Sequence, residues 1–153
     1  DNGNIEFKDI YCKNIGNDCI DVSNTILKGE NLISTNVYDK TLSLGEKSLA
    51  NINTIKIENS EIGIAVKDAS RAKIENITID KTTLPLVVFV KKTEYGPASL
   101  EVKSINLRNS NEIFLVDNFS NLIIDNNKII GKYSGKEIES QLYGNIYGRA
   151  TVR

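Results

Sequence analysis

Histidine, methionine and tryptophan are absent from the 153 residues, and proline and cysteine occur only twice each. Without histidine the chain lacks the commonest general base, the usual zinc ligand and every Ser–His or Cys–His nucleophile pair. No apolar run approaches the roughly 20 residues that a helix needs to span a bilayer. Neither sign of charge dominates: 19 Lys+Arg stand against 20 Asp+Glu, which argues against nucleic acid or an anionic membrane as a partner found by bulk electrostatics. The opening residues show neither an initiator Met nor a signal-peptide pattern, so the chain is expected to be a processed piece of a longer protein. Helical i, i+3, i+4, i+7 stripes are also scarce. The one stretch with helical character is "GKEIESQLYG", 135–144.

What is present is strand. Ile, Val, Thr and Asn dominate, and apolar residues alternate over short runs such as "IKIENSEIGIAV" and "AKIENITID". These runs repeat. Ile20/Val22 recur 22 residues later as Leu42/Leu44, then as Ile64/Val66 and Leu86/Val88. A longer step of 27 reaches Ile113/Leu115, with the extra residues assigned to "KKTEYGPAS". A second pattern, apolar–x–x–apolar–x–apolar, interlocks with the first: Phe7/Ile10/Cys12, Ile52/Ile55/Ile57, Ile74/Ile77/Ile79, Val102/Ile105/Leu107 and Phe119/Leu122/Ile124. The second coil keeps it poorly, as Glu30/Ile33/Thr35.

A repeat of this length, built from short strands, predicts a parallel β-helix of about six coils. One such coil cannot bury its apolar side alone. Stacked coils pair in parallel and fill the interior with Ile, Leu and Val ladders. An antiparallel sandwich would want Gly-rich two-residue turns between strands, and these are largely missing. Asn14, Asn59, Asn109 and Asn126 follow the second pattern, with Val37 and Lys81 breaking the series. Asn tolerates the left-handed backbone of a tight corner. The expected layout is coils over 1–131 and an irregular C-terminal tail, 132–153, packing on them. Cys12 falls in an inward slot and Cys19 in an outward one, so their side chains are expected to diverge without a disulfide. Cys12 then reads as a small core residue.

The coil length, the Asn corners and rungs such as "NDCIDVSN" and "IGIAVKDAS" resemble right-handed parallel β-helix proteins of the pectin-lyase-like superfamily. The rungs "TLSLGEKS", "GIAVKDAS" and "VKKTEYGPAS" are similar to β-helix regions of bacterial envelope proteins, some attached to spore-coat-H-like domains. The resemblance implies one of two functions. The first is a non-catalytic module of a larger secreted or envelope protein, giving a rigid surface for glycan or protein contact. The second is part of a lyase, hydrolase or epimerase acting on an acidic polysaccharide. It also implies an extracellular or envelope location, and as partners a polysaccharide, the rest of a parent chain and self-association.

Enzymes of that superfamily carry their catalytic residues on the outside of one strand ladder and in the loop after it. On that face the repeat places Glu46 and Asp68 on adjacent coils, about 4.8 Å apart along the stack, with Lys67 and Arg71 nearby. Such a group is the weak candidate for acid–base chemistry on a sugar or for Ca²⁺ binding. Ca²⁺ enters only under the enzyme alternative; the first reading needs no cofactor and names no catalytic or metal-binding residue. Asp18 and Asp21 stand out in "GNDCIDVSNT", but the chain lacks the Asp-Asp, Gly-His-Gly and Arg-x-Lys set of galacturonan hydrolases and the Asp-Pro-His-Glu motif of alginate epimerases. That stretch is expected to be a corner and a core rung, with Asp21 outward.

One outward region is apolar. The coil register sends Val87, Phe89, Phe114 and Val116 to the outside, where earlier coils carry Asp21, Ser23, Ser43 and Lys67. A patch of this kind marks a contact surface. The tail, with Ile138, Leu142, Tyr143, Ile146 and Tyr147, is the expected cover.

Overall fold

The computed structural model describes residues 3–110 and 113–144. Ile146 and Tyr147 of the expected cover lie outside these. The strands are β1 (Asn4–Ile15), β2 (Ile20–Ser23), β3 (Ile26–Gly45), β4 (Leu49–Lys67), β5 (Arg71–Asp80), β6 (Leu84–Phe89), β7 (Ser99–Arg108), β8 (Phe114–Val116), β9 (Asn121–Ile124) and β10 (Asn127–Ile129), followed by helix α1 (Gly135–Leu142). They form a parallel β-solenoid of about five turns. One face stacks β1, β3, β4, β5, β7 and β9; the other stacks β2, β3, β4, β6 and β8. β3 and β4 bend round the corner between the faces and serve both.

The two apolar patterns are the two inner faces. Leu42, Leu44, Ile64, Val66, Leu86 and Val88 meet Ile52, Ile55, Ile57, Ile74, Ile77, Ile79, Leu100 and Val102 in one core. Each full coil thus contributes about five inward side chains, and burial of a large aliphatic one stabilises by roughly 1.5–3 kcal/mol.

The second coil follows the pattern more closely than its sequence suggests, shifted by one residue. Phe7, Ile10 and Cys12 pair with Gly29, Leu32 and Ser34, not with Glu30, Ile33 and Thr35. Gly29 escapes recognition because it has no side chain, yet its reason is steric: a Cβ there would overlap the Phe7 ring. The same shift repairs the asparagine series. Asn36, not Val37, takes the left-handed corner (φ 55°). Asn36 donates to Asn14 (2.9 Å) and Asn59 donates to Asn36 (2.7 Å). Lys81 holds the same backbone conformation (φ 52°), while Asp80 accepts from Asn109 (2.9 Å).

A second hydrogen-bonded stack sits at another corner. The amide of Thr25 donates to the Ser48 hydroxyl (3.2 Å), that of Ser48 to the Ser70 hydroxyl (3.1 Å), and that of Ala98 to the Ser120 hydroxyl (3.1 Å). These buried hydroxyls satisfy amides that the turning backbone leaves without a ladder partner.

Two expectations fail here. Cys12 and Cys19 form a disulfide, with Cα atoms 5.9 Å apart. Alternation along one strand says nothing across a corner, and Cys19 packs against the core. The next coil shows why the two sites meet: Ser34, which pairs with Cys12, shares a buried hydrogen bond with Thr41 (2.8 Å). The second failure is the last step of the repeat. It is 28 residues, since Leu86 pairs with Phe114 and Val88 with Val116. Phe114 and Val116 therefore face the core, not the outside, and Leu115 points outward.

Candidate functional site

The outward face of the second sheet divides into a polar part and an apolar part. The apolar part is Ile62, Ala65, Leu84, Val87, Phe89 and Leu115, closed over by Ile138 and Leu142 of α1 with Tyr133 and Tyr143 at its edge. Of the four residues expected in an exposed patch, Val87 and Phe89 lie here, both fully buried. Phe114 and Val116 belong to the interior for the register reason given above. α1 starts sharply: Ser134 accepts from the Glu137 amide (3.2 Å), and the Glu137 carboxylate accepts from the Ser134 amide (2.7 Å). This reciprocal cap fixes the first turn. The tail then lies so close to the last coil that a Cβ at Gly131 would overlap the Asp117 carbonyl.

The polar part begins where α1 ends. Asp18 accepts from the Lys40 amide (3.0 Å) and from its ammonium (3.5 Å), which also donates to Asp39 (2.8 Å). Lys40 and Asp39 are almost wholly buried. Burial raises the Asp18 carboxyl above its ordinary range, and the Lys40 charge partly offsets this. Tyr143 covers the group, with its ring 5.6 Å from the Lys40 ammonium and 4.0 Å from that of Lys91. Burial first, and then the charges of Asp18 and Asp39, raise the Tyr143 phenol. Lys67 lies on the same face; burial lowers its ammonium below the ordinary lysine range, against the attraction of Asp21. Asp21 itself is exposed, and Ile20 and Val22 pack against the core.

Glu46 and Asp68 do occupy matching corners of adjacent coils. Both take the left-handed conformation (φ 53° each), and Lys47 donates its amide to the Asp68 carbonyl (2.9 Å). Their carboxylates are committed to the loop that follows β6. Asp68 is 2 % exposed, and one of its oxygens accepts from the amides of Lys91 and Lys92 (2.7 Å each). Glu46 pairs with the Lys92 ammonium. Arg71 is exposed at the start of β5, past the corner. The acids thus anchor residues 90–97, the insertion that lengthens the fourth coil. Among the described residues, no three His, Cys, Asp or Glu side chains are grouped to hold a metal.

That anchored loop and α1 enclose a groove of about 480 Å³. Tyr95, Pro97 and Phe119 give it apolar faces, and Lys91, Lys136 and Glu139 line it with charge. Phe119 is 76 % exposed. The repeat had assigned Phe119 to the interior pattern; its place is instead the turn before β9. There Asp117 accepts from the amides of Phe119 (3.0 Å) and Ser120 (2.6 Å), and from that of Val90 (2.7 Å). Asp117 therefore ties the start of the 90–97 loop to the turn that carries Phe119. The signal in the sequence was the break in coil length at 91–99, which implied an excursion but not its aromatic lining.

No family model, curated protein or solved structure matches the chain.

Proposed function

We propose that this chain is a non-catalytic solenoid module that contacts saccharide in the groove between residues 90–97 and α1. The observation that carries the reading is the contrast between the two candidate sites. Asp68 spends its carboxylate on backbone amides and Glu46 on Lys92, whereas the groove leaves the Phe119 ring open. A flat apolar ring edged by charged groups suits a sugar, whose C–H face stacks while its hydroxyls find polar partners. The volume of about 480 Å³ suits one or two sugar rings. The disulfide supports an extracellular or envelope setting, because such bonds persist in oxidising compartments. The resemblance of the coils to the pectin-lyase-like superfamily supports an acidic polysaccharide as the polymer contacted.

The enzyme alternative has one observation in its favour. Lys67 is a half-buried lysine whose proton affinity is lowered by burial against the attraction of Asp21, a shift in the direction that proton abstraction by lysine needs. Calorimetric titration with neutral and uronic oligosaccharides tests the binding reading. Saccharide should bind in the groove, and Phe119→Ala should abolish the heat while leaving the melting temperature unchanged. Binding untouched by Phe119→Ala would place the contact elsewhere and overturn it.

A further inference from the structure

The buried charged group under Tyr143 takes no part in the groove or its loop. The side chains of Asp18, Lys40 and Asp39 are 12 %, 5 % and 2 % exposed. Asp18 and Lys40 stand 22 residues apart, one coil, and backbone bonds hold them in register. The Lys40 amide donates to Asp18 (3.0 Å), and the Cys19 amide donates to the Lys40 carbonyl (2.9 Å). The pairing of β3 with β4 shifts register between Val37 and Lys40, and at this irregularity the neighbouring side chains of Asp39 and Lys40 meet (2.8 Å). The Lys40 nitrogen is thus one hydrogen bond from each of two carboxyl groups. Burial raises the Asp18 carboxyl, which favours its neutral acid, while the Lys40 charge partly offsets this. Asp39 receives the ammonium through Oδ1, and its Oδ2 is buried with no partner among the described residues. A buried oxygen left unpaired costs free energy, and a chemical role is one reason to keep it.

We propose that Lys40 and Asp18 join in an isopeptide bond between Nζ and Cγ, cross-linking adjacent coils with loss of one water. Asp39 carries the protons. It takes one from the Lys40 ammonium through the existing hydrogen bond, and the neutral amine attacks Cγ of the Asp18 acid. The nitrogen–carbon bond forms while the carbonyl electron pair moves onto oxygen. Asp39 then passes its proton to the Asp18 hydroxyl, which leaves as water as the carbonyl re-forms, and takes a second proton from the nitrogen. An ammonium, a carboxylate and an acid become an amide, an acid and water. The charge sums to zero on both sides, nothing is oxidised and no co-reactant enters. The step removes buried charges whose desolvation is costly. The fixed backbones make the encounter intramolecular. Tyr143, with its ring 5.6 Å from the Lys40 nitrogen, covers the group and restricts the water that hydrolysis of the amide would need.

Intact mass spectrometry of the full chain, purified folded and then reduced and denatured, is the test. The mass should fall short of the sequence mass by one water molecule. Trypsin cuts at Lys28, between the two reacting residues. The segments that carry them should nevertheless stay joined in one branched peptide, and Lys40 should resist cleavage. Lys40→Arg keeps the charge without an amine that can acylate, and should show the full mass. Asp39→Asn keeps both reacting groups but removes the proton carrier, and should leave most of the chain at the full mass. Circular dichroism of each variant reports whether the solenoid is intact. A folded, unsubstituted chain of full mass overturns the proposal, because the group is then a plain ion pair. A deficit of one water with Lys40 still cleaved and no branched peptide, the signature of a succinimide, also overturns it. So does a deficit that persists in Lys40→Arg or is unchanged by Asp39→Asn.

Discussion

Ser70 is fully buried and its hydroxyl receives the Ser48 amide. Ser70→Ala leaves that amide unpaired away from water and should cost about 1–3 kcal/mol in a denaturant titration; a loss near zero would mean that the amide has another partner. The cysteine pair closes a short loop, for which a disulfide stabilises by about 2–3 kcal/mol. Because the next coil fills the same two places with Ser34 and Thr41, the pair Cys12→Ser with Cys19→Thr should be more stable than the double alanine variant by about 1 kcal/mol. Equal stabilities would mean that the hydrogen bond does not transfer between coils. Lys67 gives a pH effect of definite sign. Its folded-state affinity for a proton is lowered by burial from the ordinary 10.5. Between the folded value and 10.5 the unfolded chain therefore binds more protons, and stability rises with pH across that window. As pH rises toward 10.5 the unfolding midpoint of the parent should climb relative to that of Lys67→Met, a difference that removes the opposite contribution of the raised Tyr143 phenol common to both. A difference that falls with pH contradicts the assigned burial. The corner position of Glu46 and Asp68 was legible in the sequence. Their commitment to Lys91 and Lys92 was not, because it depends on how an irregular loop folds back across a coil.

At the level of elements, α1 acts as a cover. Two side chains, Ile138 and Leu142, anchor it over Val87, Phe89 and Leu115, and a capping box starts it. Leu142→Asp should release the helix and raise binding of a hydrophobic dye while the solenoid circular dichroism persists. Dye binding that stays at the parent level would show that the helix is not what closes this face. The short helix was readable as the one stretch with helical character, "GKEIESQLYG"; its Ser134 cap came only with the structure. The register of β8 was not readable. With an insertion of unknown path between coils, Ile113/Leu115 and Phe114/Val116 fit an apolar–x–apolar pair equally well. Only the ladder between β6 and β8 decides which pair is inward. The second coil escaped for the opposite reason: Gly29 and Ser34 occupy core slots that larger apolar residues fill elsewhere.

For the molecule as a whole, the repeat carried the architecture. A 22-residue period with inward Ile, Leu and Val can bury itself only by stacking, so the solenoid follows from Ile20, Leu42, Ile64 and Leu86 before any coordinates are known. Function is less legible, because residues on the outside of a solenoid do not have to repeat and the groove lies where the repeat is interrupted. The central claim is that this outside binds without catalysing. The direct measurement is incubation of the chain with uronate polymers, following ultraviolet absorbance and reducing ends with and without Ca²⁺. The predicted result is no product above the blank under either condition, with saccharide binding that depends on Phe119. Product formed by the parent and lost in Lys67→Met or Glu46→Gln would contradict it.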